Sequence, residues 1–64
     1  MLYAIEFKKG RVGHREFCEY VGDIFIEVEL AFNDDSYALE CQAWAEEAKS
    51  GDRYEDENLI IVCK

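Results

Sequence analysis

The sequence predicts an α+β domain: a small mixed, mostly antiparallel β-sheet in the order β-β-β-α-β, with one helix packed on one face. Two periodicities and one apolar run predict it. Residues 2–7 and 23–31 alternate side chains at the period of a strand, and residues 37–48 repeat apolar positions at the spacing of a helix. Residues 59–63 are apolar almost throughout, as a strand buried on both faces would be.

In the first strand Tyr3, Ile5 and Phe7 share one side, and Leu2, Ala4 and Glu6 the other. A turn is expected over residues 8–13, where Gly10 and Gly13 can take positive φ. Residues 14–21 fit a second strand better than a helical turn, because two turns of helix rarely hold alone. The Gly22-Asp23 pair then suits a tight hairpin into a third strand over 23–31, with Ile24, Ile26, Val28 and Leu30 on one apolar face. Asn33, Asp34, Asp35 and Ser36 are four successive helix-start residues. The helix they announce gathers Tyr37, Ala38, Cys41, Trp44, Ala45 and Ala48 on one arc, carries Lys49 in its last turn and stops at Gly51. Residues 52–58 read as a solvated acidic loop. The expected core is Tyr3, Ile5, Phe7, Ile24, Ile26, Val28, Leu30, Cys41, Trp44, Ala48 and Ile61.

At 64 residues the chain has room for one domain, spanning 1–64. Half its residues are hydrophobic, which favours a folded core over disorder despite 34% charged residues. Residues 1–7 show neither a basic leader nor a long apolar run, and no stretch approaches the ~20 apolar residues of a membrane span. Three cysteines, an odd and sparse set, do not form a staple framework. The expectation is a cytoplasmic chain with reduced thiols, Cys41 and Cys63 being buried.

Fifteen acids oppose seven bases, a formal charge of −8. The first fifteen residues hold Lys8, Lys9, Arg11 and Arg15 against Glu6, whereas the remainder hold fourteen acids against Lys49, Arg53 and Lys64. That balance opposes nonspecific nucleic-acid binding, which requires neutralised phosphates, and attachment to anionic membranes. His14 and Cys18 have a ligand-like spacing but no second pair to complete a zinc site. On one strand they would also stand too far apart for a Cys–His couple. No P-loop or calcium loop is present. No catalytic residue, metal site or cofactor is therefore expected.

In size and composition the chain resembles the accessory reading frames of bacteriophages and mobile elements. The expected function is a non-catalytic interaction or regulatory module that meets a protein partner, basic in charge terms, through its acidic surface. The expected contact residues are Glu27, Glu29, Glu40, Glu46 and Glu47, with Phe25, Ile60 and Val62 as apolar contacts. One helix covers only one face of the sheet, so a homodimer through the uncovered face is the second expectation. The alternative function is a nucleic-acid contact through Lys8, Lys9, Arg11 and Arg15.

Overall fold

The computed structural model describes residues 1–11 and 13–64; Val12, inside the expected turn, lies outside the described residues. The elements run β1 (Leu2–Phe7), β2 (Arg15–Val21), α1 (Phe25–Phe32), α2 (Asp35–Glu47), β3 (Arg53–Glu55) and β4 (Leu59–Cys63). The α+β class holds, but the order is β-β-α-α-β-β. The four strands form one sheet in the order β2-β1-β4-β3, and every pairing is antiparallel. The expected mixed sheet with a single helix is thereby corrected.

Register follows the alternation. Tyr3, Ile5 and Phe7 stand opposite Cys63, Ile61 and Leu59, so one face of the two central strands is wholly apolar. That face is covered by Ile24, by Val28 and Ala31 of α1, and by Ala38, Cys41 and Ala45 of α2. The Tyr3 hydroxyl donates to the Ala45 carbonyl at 2.6 Å, tying the sheet to α2 while satisfying a buried phenol. Phe7, Phe32 and Tyr37 form a chain of rings with centroids 6.0 and 5.2 Å apart, and Trp44 meets Tyr54 at 5.6 Å. Ile5 lies opposite Cys18 but Phe7 opposite Arg15, so β2 holds one extra residue there. This bulge at residues 16 and 17 bends the edge strand.

The largest correction concerns residues 23–31, where a helix replaces the expected strand. The same residues satisfy a helical repeat: Ile24, Val28, Ala31 and Phe32 share a face, and the first three are buried. Ile26 and Leu30, expected in the core, are 64% and 58% exposed. Tertiary contacts support α1 at both ends. Gln42 of α2 accepts the Ile24 N–H at 2.8 Å, and the Arg11 N–H donates to the Ala31 carbonyl at 2.7 Å. Gly10 allows that approach: its φ is +135°, and a Cβ there would sit 2.8 Å from the same carbonyl oxygen.

The run at 33–36 is divided between two helices. Asn33, left-handed at φ 52°, ends α1, while the Asp34 side chain caps α2 by accepting the Tyr37 N–H at 3.1 Å. Lys49 and Ala48 fall beyond the last turn of α2, whose final residue is Glu47. Trp44 and Ala48, expected in the core, are only half-buried. Within the expected acidic loop, residues 53–55 form an edge strand, with Tyr54 turned toward Trp44. Cys41 and Cys63 are buried, as expected, and Cys18 is exposed.

Candidate interaction surfaces

The fold sorts charge by layer. From Gly22 to Ala48, the segment that forms both helices, the chain holds eight acids and no base. The rest of the chain holds seven of each, so the helical layer carries the whole formal charge of −8. Among the described residues the ion pairs are Lys8–Glu55, Arg53–Glu55, Lys64–Glu19 and the His14–Glu6 contact, and none reaches that layer. Within the same described set, no acid of the layer has a cation at ion-pair distance.

Glu27 and Glu29 of α1 and Glu40, Glu46 and Glu47 of α2 all belong to this layer, half-exposed on α1 and exposed on α2. The same layer exposes three large apolar side chains that composition alone assigns to the interior or leaves unplaced, Leu30 lying beside Glu27 and Arg15 of β2. Ile26 and Leu30 are neighbours one helical turn apart, and Leu39 of α2 is 59% exposed. Phe25, Ile26 and Leu39 line a shallow groove together with Asp23, Glu27 and Gln42. The sequence signal for Leu39 is its position off the apolar arc of α2; for Ile26 and Leu30 it is visible only once helix replaces strand.

Phe25, Ile60 and Val62 do not share a face. Phe25 is half-buried on α1, whereas Ile60 and Val62 lie on β4 facing away from both helices. That uncovered face also carries Leu2 and Ala4, which stand opposite Val21 and Glu19 of β2. Ala4 and Ile60 are nonetheless only 5% and 8% exposed. Phe17 and Val21 project from the edge strand, 46% and 82% exposed.

The basic cluster is dispersed. Lys8 binds the Glu55 carboxylate at 2.7 Å and the Asp56 carbonyl at 2.9 Å, so its charge is engaged within the chain. Arg15 stacks over the Phe7 ring at 5.3 Å and donates to the Tyr20 hydroxyl. Lys9 and Arg11 are exposed on the turn. His14 reaches Glu6 at 2.9 Å on the uncovered face, while Cys18 lies opposite Ile5 on the helix side, so the bulge turns the two apart.

The acidic loop contains a hydrogen-bonded centre at Asp56. The Asp56 carboxylate accepts from the Tyr37 hydroxyl at 2.6 Å, the Tyr54 hydroxyl at 3.2 Å, and the Asn58 and Leu59 amides at 2.8 and 3.0 Å. Burial pushes its pKa up, but these four donors outweigh burial and hold it below the usual value. Burial, together with the Asp56 charge, pushes Tyr54 up to about 12, and burial pushes the Cys41 thiol up to about 11. Tyr37 is raised chiefly by burial and then by its bond to Asp56.

Among the described residues no three His, Cys, Asp or Glu side chains converge as a metal site would require, and no helix is long and apolar enough to cross a membrane. Compared with known proteins, the chain matches no family model, no curated protein and no solved structure.

Proposed function

We propose that this chain is a non-catalytic interaction module whose helical layer docks a cationic segment of a protein partner. The supporting observation is the coincidence, on one layer, of eight acids and no base with exposed Ile26, Leu30 and Leu39. A one-sign field steers an oppositely charged partner and rejects nucleic acid, while the apolar groups supply contact area.

The test is capture from nuclease-treated lysate on the immobilised chain, in parallel with an Ile26→Ser/Leu39→Ser variant. Both positions are exposed, so the variant should melt with the parent. A protein partner should be retained at ~0.1 M salt, released by ~0.5 M as the field is screened, and lost with the variant. A signal that disappears with nuclease, or that the variant retains in full, would contradict the reading.

A further inference from the structure

The uncovered sheet face has a charge order that matches itself. Pairing places Glu19 beside Ala4, Ala4 beside Val62, and Val62 beside Arg53, so one row crosses all four strands as acid, small, apolar, base. A two-fold axis lying in this face, parallel to the strands and between β1 and β4, sets β2 over β3 of a second copy. It then brings Glu19 over Arg53 of the second copy, and Arg53 over its Glu19, with Ala4 and Val62 between them. From this we infer that the face pairs two copies of the chain as an aligned sheet-on-sheet dimer. The inference is independent of the helical-layer reading, because it uses the opposite surface.

Neighbouring charges are compatible with that arrangement. Glu19 lies 3.8 Å from Lys64, and Arg53 lies 2.9 Å from Glu55, so each contact between copies would join two in-chain pairs into a run of alternating sign. Glu55, one row away, already meets Lys8 at 2.7 Å and Arg53 at 2.9 Å, and Glu6 in the same row contacts His14 at 2.9 Å. Phe17, Val62 and Ala4 line a shared depression with Arg53 and Lys64. Four strands at ~4.8 Å spacing, with the six residues of β1 at ~3.4 Å each, make a face of at most roughly 19 by 20 Å, narrowed at β3, which has three residues. That is smaller than a standard stable interface, so the dimer is weak and depends on concentration.

Sedimentation equilibrium from roughly 10 µM to 1 mM tests this with Glu19→Arg and Arg53→Glu, both at exposed positions. The parent mass should rise toward two chains. Each single variant should stay at one chain, through like-charge contacts across the axis. An equimolar mixture of the two variants should dimerise again, since both contacts across the axis then join an arginine of one copy to a glutamate of the other. The double variant, in which the two charges are exchanged, should dimerise alone. A parent of one-chain mass at the highest concentration overturns the inference. So do single variants that dimerise like the parent, or a mixture that stays monomeric.

Discussion

Phe7→Ala is expected to lower stability by about 3–5 kcal/mol, the usual range for emptying a buried phenylalanine site. A domain of 64 residues has on the order of 3–10 kcal/mol in total, so much of the variant should be unfolded at body temperature. Phe7 is the largest side chain that is fully buried, at 1% exposure. It also joins elements: its ring meets Phe32 of α1, which meets Tyr37 of α2, and the Arg15 guanidinium of β2 lies over its face. Trp44→Ala should cost clearly less, because Trp44 is half-buried against Tyr54 at the sheet edge. Urea unfolding of both variants checks the ranking. A Phe7→Ala loss below ~1 kcal/mol, or a larger loss for Trp44→Ala, would show that the core is centred elsewhere.

Asp56→Ala is expected to cost about 2–4 kcal/mol, because it strands two hydroxyls and two amides that now share one carboxylate. The melting temperature should fall by roughly 10–20 °C. The pH dependence has a definite sign. The folded pKa of Asp56 lies below its unfolded value, so its contribution is complete above about pH 4 and is lost as pH falls through the folded pKa. The gap between parent and Asp56→Asn, measured by thermal melts, should therefore narrow through the acid range below about pH 4. A gap that is constant across that window would mean that the carboxylate is not held ionised by its donors.

The strands β1, β2 and β4 were legible because each has its own short-range signal. Leu2–Phe7 alternates cleanly, Leu59–Cys63 is apolar on both sides, and Arg15–Val21 is too short to stand as a helix. The cap at Asp34 was legible for the same reason, since an acid three residues before Tyr37 satisfies an orphan amide locally. Residues 25–32 were not legible, because Ile24, Ile26, Val28 and Leu30 fit period two as well as Ile24, Val28, Ala31 and Phe32 fit the helix. What decides between them is distant in sequence: Gln42 at the start of α1 and Arg11 at its end. Asn33 could have marked the end of a helix, but its three polar successors made it read as the beginning of one. Residues 53–55 were hidden by their brevity and charge, although Arg53 and Glu55 on one side with Tyr54 on the other is a strand pattern.

That single helix-for-strand exchange also reshaped the candidate surface. A sheet strand at 23–31 would place Glu27 and Glu29 beside Ile60 and Val62, and would bury Ile26 and Leu30. With α1 in its place the acids join those of α2, Ile26 and Leu30 emerge among them, and Ile60 and Val62 remain on the opposite side. The residues that composition singles out are largely acidic for a sound physical reason, but which of them act together depends on a pairing the sequence leaves degenerate.

The helical layer therefore depends on residues 25–32, and the backbone chemical shifts of that segment test it most directly. Assigned NMR spectra should show helical Cα and carbonyl shifts from Phe25 to Phe32, an interruption at Asn33, and sequential amide–amide contacts through both helices. Extended-chain shifts over these residues, with cross-strand contacts to β2, would restore the strand, return Ile26 and Leu30 to the interior, and contradict the account.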